Sequence, residues 1–252
     1  MSSSSSQKKS STSCFSEDYE FSAASASSFS FDGEWTAEHM RLYESTFLHD
    51  LLNSAGGLRG YLELVDETED IRPIKKYVSN SLVLCDSLID EIEYHRQFLF
   101  ANNGNFKPAL ADTTTTEILK LTILTLGRHA VSKDREIEIS VDCSEKIQTD
   151  KVLLSRLLVN LTKNAIEATG DGEIVYIGAG KVGGKIRVAV HNSSVISEET
   201  QKQLFKYQFS TKGNNRGIGL FSVKLLCEKL GGTLGFASSD ETGTCFFIDL
   251  PL

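Results

Sequence analysis

Between Leu48 and Val65 the apolar residues return at alternating steps of three and four: Leu48, Leu51, Ala55, Leu58, Leu62, Val65. This is a helical seam with apolar a and d positions. A second seam runs through Ile71, Ile74, Val78, Ser81, Cys85, Leu88 and Ile92, flanked by Leu82 and Ile89. The polar run Asp66-Glu67-Thr68-Glu69-Asp70 separates them, and Asp70 is suited to cap the second helix. Two long helices with so short a connection predict an antiparallel hairpin. One hairpin cannot bury a stripe this broad, so two chains are expected to pair as a dimeric four-helix bundle. The plainer alternative is a hairpin packed on its own C-terminal domain.

The rest of the chain divides around that hairpin. Residues 1–33 are Ser-rich, without a periodic face, and read as a disordered segment. Phe15, Phe21, Phe29 and Phe31 interrupt it and offer anchors for a partner. The hairpin domain is expected over 34–106, ended by the turn chemistry of Asn102-Asn103-Gly104-Asn105 and Pro108. A net charge of −8 argues against a nucleic-acid partner. No apolar run approaches the roughly 20 residues of a membrane helix, and the N-terminus lacks the apolar core of a secretory signal. The five cysteines are scattered without a C-x-x-C pair, which fits reduced thiols and a cytoplasmic location.

Residues 110–252 carry alternating helix and strand signals. A helix is predicted from Thr116 to about Val131, and a strand through Ile137, Ile139 and Val141. A helix capped by Asp150 then carries Leu153, Leu154, Leu157, Leu158 and Leu161. Glu173–Gly178 and Lys185–Val190 read as strands joined at Gly183-Gly184. A helix from Gly217 to Leu230 ends at Gly231-Gly232, and Leu234–Ala237 and Cys245–Leu250 are closing strands. The fold class is α+β: a helical hairpin followed by a two-layer α/β sandwich.

Three sets of residues carry chemistry. On the first helix His49, Asp50 and Asn53 fall at positions b, c and f, outside the seam, with His49 and Asn53 on one face. A lone histidine is most often an ordinary surface or core residue. A neutral imidazole is also a nucleophile toward phosphorus, which a neighbouring carboxylate can orient and an amide one turn away can complement with a water. Asn160 and Asn164 share the face opposite the leucines of their helix; solvated surface is the plain reading. An amide oxygen is equally a hard ligand for Mg²⁺. Gly217 and Gly219 permit close backbone approach at a helix start, which favours anions.

The run Phe47-Leu48-His49-Asp50-Leu51-Leu52-Asn53 resembles the phosphoacceptor box of dimerising sensor histidine kinases. That resemblance implies that His49 is phosphorylated, Asp50 is its acid/base partner and Asn53 supports phosphatase action. Roughly residues 112–252 resemble the Bergerat-type ATP-binding domain shared by histidine kinases, gyrase, Hsp90 and MutL. Asn160 through Ala168 is similar to its asparagine box, Phe205 to Phe209 to the phenylalanine box, and Ser210–Gly213 to the lid. Arg216 to Leu220 is similar to the second glycine box and Gly243-Thr244 to the last one. The chain departs from the first glycine box, D-x-G-x-G, with His191-Asn192-Ser193-Ser194-Val195. The missing carboxylate would accept from the adenine amino group, and His191 or Asn192 is the available substitute.

The resemblance implies an ATP-dependent histidine kinase that also acts as a phosphatase. Asn164 would hold Mg²⁺, Gly217 and Gly219 would cradle phosphates, and Lys163 and Lys212 would stabilise charge. Asn160, Arg216 and Thr244 complete the nucleotide site. The implied partners are a second copy, a response-regulator receiver domain and a separate sensor protein. The competing readings are a phosphotransfer protein with a degenerate ATP site, and a non-catalytic interaction module or anti-sigma type regulator.

Overall fold

The computed structural model describes Cys14 and residues 37–102, 106–127, 135–202, 204 and 219–252. The two seams form helices α1 (Ala37–Glu67) and α2 (Ile71–Asn102). Asp70 accepts from the Arg72 amide at 3.0 Å and so caps α2. Three contacts fix the antiparallel register: Tyr61 lies near Tyr77, Gly57 near Leu84 and Phe47 on His95.

The paired glycines do not interrupt α1. A Cβ at Gly57 would sit 3.4 Å from Leu84 Cδ1, whereas one at Gly56 would meet nothing within 4 Å. Gly57 therefore serves the close approach of the two helices. Much of the apolar stripe still faces outward: Leu48, Leu52, Leu62, Ile71, Leu82, Ile89 and Ile92 are all exposed. At the open end Phe98 of α2 is fully buried, with Met40 and Leu99 packed against it.

The C-terminal region is a two-layer sandwich. Strands β1 (Ala111–Thr114) and β3 (Lys146–Thr149) pair antiparallel beside helix α3 (Thr115–Leu126). Strands β2 (Glu136–Asp142), β4 (Ile174–Val182), β5 (Lys185–Asn192), β6 (Thr233–Ser239) and β7 (Gly243–Pro251) form one sheet in the order β2-β4-β5-β7-β6. Only the β2–β4 pairing is parallel. Helices α4 (Lys151–Ala168), α5 (Glu198–Gln201) and α6 (Gly219–Lys229) complete the region. Phe98 also meets Leu225 of α6, which joins the hairpin to the sandwich. No helix among the described residues is long and apolar enough to cross a membrane.

Helix α4 organises the core. Asp150 accepts from the Leu153 amide at 3.0 Å and starts the helix where the sequence places its cap. Leu153, Leu154, Leu157, Leu158 and Leu161 are buried against Ile118 and Leu119 of α3, Val223 and Leu226 of α6, and Ile177, Val188 and Ile248 of the sheet. Each such side chain contributes about 1.5–3 kcal/mol by leaving water. Helix α6 closes with two backbone bonds, Gly231 N–H to Glu228 O and Gly232 N–H to Cys227 O, both 3.0 Å. Gly231 takes the left-handed φ of +74° that this terminator requires.

Several sequence-predicted bounds shift. Strands β4 and β5 run on to Val182 and Asn192, because Gly183 and Gly184 (φ +55° and +72°) make a two-residue hairpin turn that lets pairing continue up to it. Strands β1 and β3 are too short for periodicity to reveal and exist through their mutual pairing. Helix α3 ends at Leu126, and Gly217-Ile218 and residues 128–134 lie outside the described residues. Of the N-terminal 33 residues only Cys14 is described, and it is fully buried.

A buried ion pair ties β5 to β7. Arg187 donates from Nε to Asp249 Oδ1 at 2.7 Å and from Nη2 to Oδ2 at 2.8 Å, with its guanidinium 3.9 Å above the centre of the Phe247 ring. Removing one partner strands a buried charge. Asp249→Ala is expected to lower unfolding stability by about 3–5 kcal/mol, read by urea denaturation; a loss below about 1 kcal/mol would show the pair to be dispensable.

Candidate functional site

Two constellations occupy separate parts of the fold. The first is on α1, where the seam turns Leu51 and Ala55 toward α2 and leaves His49 pointing away. The His49 side chain is 54% exposed, and its Nδ1 lies 3.1 Å from Asp50 Oδ1. The Asn53 amide nitrogen lies 3.2 Å from His49 Nδ1 and 3.4 Å from Nε2. A carboxylate accepts only from a protonated ring nitrogen, so the Asp50 contact selects the Nδ1–H tautomer. That leaves the Nε2 lone pair for chemistry, with the Asn53 amide able to donate toward it.

On the same helix Phe47 stacks on His95 of α2, ring centroids 3.7 Å apart and the ring planes nearly parallel. Burial pushes the His95 pKa down from its ordinary value, with the Glu44 charge opposing. Nothing in the sequence marked His95, since its place beside Phe47 follows from the hairpin register alone.

The second constellation joins the end of α4 to the ends of β5 and β7. Burying the leucine stripe turns Asn160, Lys163 and Asn164 to a partly exposed face. Asn164 donates to Asn160 Oδ1 at 3.3 Å, so the two amides face one another and the Asn164 oxygen points out of that bond. One turn on, Thr169 Oγ1 donates to the Ala165 carbonyl at 2.6 Å and accepts from Asn192 at 3.2 Å. The buried Asn192 also donates to the Ala165 carbonyl at 3.4 Å. Thr244, its cross-strand partner on β7, donates to the Ser194 carbonyl at 2.6 Å and shares a 2.8 Å bond with Ser238. Ser194 in turn donates to the Ala168 carbonyl at 2.6 Å. Gly243, at φ +74°, packs so tightly that a Cβ would overlap the Asn192 carbonyl.

The structure separates the two side chains that stand where the first glycine box fails. Successive strand residues face opposite ways. Asn192 therefore meets α4, while His191 lies on the other face of the sheet, its ring 6.2 Å from that of Tyr176. His191 Nε2 donates to the Thr242 carbonyl at 2.6 Å. His191 is thus corrected from a nucleotide-facing residue to one behind the sheet. Thr169 and Ser194, which the sequence reading passed over, belong with Asn192 and Thr244. Their only sequence signal is adjacency to the motif residues. Lys212, Arg216, Gly217, Phe205–Phe209 and Ser210–Gly213 lie outside the described residues, and Gly219 begins α6.

Residues 149–252 match the family model of histidine kinase-, DNA gyrase B-, and HSP90-like ATPases. The sensor histidine kinase ZraS of Escherichia coli is 30% identical over 138 residues, 52% of this chain and 30% of ZraS. Among solved structures, the Acinetobacter baumannii histidine kinase AdeS superposes with a TM-score of 0.58 at 18% identity, over 81% of this chain and 97% of that one. The histidine kinase ThkA in complex with the response regulator protein TrrA gives 0.53 at 20% identity, over 81% and 59%. These two likenesses show the fold. Residues 149–252 are thus similar to that ATPase family. The chain spans about half the length, or less, of the curated relatives it matches.

The buried His191 makes stability depend on pH. Desolvation pushes its pKa below the ordinary 6.5, partly opposed by the bond to Thr242. Below pH 6.5 the unfolded chain binds a proton that the folded chain refuses, so stability falls with pH. Thermal unfolding from pH 7.5 to 5 is expected to show this decline, and His191→Gln should flatten it. An unchanged slope in the variant would remove His191 as the cause.

Proposed function

We propose that this chain is an ATP-dependent protein histidine kinase whose phosphoacceptor is His49. One observation carries the reading: an exposed imidazole is held by Asp50 and Asn53, in a chain whose C-terminal residues match an ATPase family. The division into a hairpin domain over 34–106 and an ATP-binding domain over 110–252 belongs to the same proposal.

The chemistry follows from the tautomer. The His49 Nε2 lone pair attacks the γ-phosphorus of ATP, an N–P bond forms, and the P–O bond to ADP breaks. Asp50 holds the Nδ1 proton and steadies the positive charge that develops on the ring. Positioning and electrostatics supply the rate. Asn53 would orient a water that attacks the phosphorus of a phosphoryl group and releases inorganic phosphate, the phosphatase role in this reading.

At the nucleotide site Asn192 and Thr244 would face the adenine, with Thr169 and Ser194 holding them to α4. An amide in place of the carboxylate loses a charge-assisted bond of roughly 1.5–3 kcal/mol, about a tenfold to hundredfold in affinity. The Asn164 oxygen, with Asn160 beside it, fits a hard cation and would hold Mg²⁺. Bound there, the ion would supply neutralising charge at the phosphate oxygens. Gly217 and Gly219 would cradle the phosphates, with Lys163, Lys212 and Arg216 as charge partners.

The exposed stripe of the hairpin supports a homodimer in which two hairpins form a four-helix bundle. The response regulator bound to ThkA supports a receiver-domain aspartate as the next acceptor. A separate sensor protein and a cytoplasmic location complete the proposal.

Incubation with γ-labelled ATP and Mg²⁺ tests the reading. The label is expected on His49, acid-labile and base-stable, and absent from His49→Ala. Label retained in that variant would reject the site. Asn164→Ala, with its fold verified by circular dichroism, is expected to slow labelling by about a hundredfold or more.

A further inference from the structure

Helices α3, α4 and α6 share their core with one face of the five-stranded sheet, through Ile177, Val188, Val190 and Ile248. The alternate residues of the same strands form a second cluster on the other face: Ala189 of β5 and Cys245 and Phe247 of β7, with Val141 of β2 against them. The remaining member of that cluster is Cys14. A residue more than two hundred positions upstream of Cys245 is thus fully buried on the back of the sheet.

The surface beneath it is built for a close approach. Phe247 lies over Gly235, where a Cβ would overlap its ring, and faces Ala189 across the β5–β7 ladder. The Arg187 guanidinium holds the ring from 3.9 Å. Cys14 packs beside it and its thiol hydrogen-bonds that of Cys245. His191, paired in register with Cys245, is 3% exposed, and its Nδ1 has no hydrogen-bond partner among the described residues. A buried acceptor lacking a donor is costly, by about 1–3 kcal/mol in ordinary cases, and calls for a polar group on this face.

We propose that the back of the sheet is a docking surface for the chain's own N-terminal segment, seated through Cys14. The segment has the matching chemistry. It is rich in serine hydroxyl donors and carries the apolar side chains of Phe15, Phe21, Phe29 and Phe31. Cys14 there lies behind the strand ends that carry Asn192 and Thr244 on the opposite face. The inference stands on the Cys14 cluster and is independent of the kinase reading.

Alkylation of the full-length chain with iodoacetamide, read cysteine by cysteine in peptide maps, tests it. Cys85 and Cys143, both partly exposed, serve as internal references. Native Cys14 is expected to react at least ~10-fold more slowly than in urea, because it must undock first. Equal rates would overturn the proposal. Phe247→Ala should speed Cys14 labelling, and should that variant fail to fold, the wild-type rates still decide.

Oxidised glutathione provides a second measurement. The Cys14 thiolate attacks its disulfide and expels one glutathione. Cys245 sulfur then attacks the mixed disulfide and releases the second, so two protein thiols become one S–S bond and two glutathione thiols form. The expected product is a Cys14–Cys245 link within one chain, absent from Cys245→Ser. A link between two chains in dilute protein would make a second copy the occupant, and equal yields of links from Cys14 to Cys85 or Cys143 would deny the docking.

Discussion

One helix sets the terms for the C-terminal region. Helix α4 carries leucines on one side and asparagines on the other, and its leucines are buried between two helices and a sheet. Because a helix is rigid at this length, burying one stripe leaves no choice about the opposite one. Asn160, Lys163 and Asn164 are therefore held to an open face by hydrophobic packing many times stronger than any contact they make themselves. The Asp150 cap fixes where the helix begins, and so the phase of both stripes.

The strand ends complete what that helix begins. Asn192 and Thr244 sit opposite each other on β5 and β7, and bonds through Thr169 and Ser194 bring them to the last turn of α4. The close seat of Gly243 on the Asn192 carbonyl leaves that position no room for a side chain. Losing the carboxylate and glycines of the first glycine box has not opened this junction. The Asn192 amide and the Thr169, Ser194 and Thr244 hydroxyls close it by donating to carbonyl or hydroxyl acceptors, while the buried Ser193 Oγ finds no partner among the described residues.

The hairpin follows a different economy. Part of its seam, such as Leu51 and Ala55, turns toward α2, while other seam residues, among them Leu48, Leu62, Ile71 and Ile92, remain on the surface of the single chain. His49 stays outside the seam, so its exposure depends only on helical phase. Its partners come from one helix, at spacings of one and four residues, and need no tertiary contact. His95 and Phe98 differ: their stacking and burial exist only because α2 returns along α1 and meets α6.

Those contrasts mark how far the sequence alone reaches. Periodicities of three-and-four and of two, together with Asp150 as cap and Gly183-Gly184 and Gly231-Gly232 as turns, determined the hairpin, the long helices and most strands. They also determined the grouping of His49, Asp50 and Asn53, because such signals are local. The pairing of β1 with β3 and the parallel entry of β2 rest on partners distant in the chain, which periodicity does not encode. Tertiary structure alone decided that Asn192 faces α4 while His191 turns away, since strand phase at a chain end is set by its neighbours. It also decided that Cys14 lies against Cys245: nothing in a serine-rich stretch names the surface it will meet, and only the packed sheet presents one.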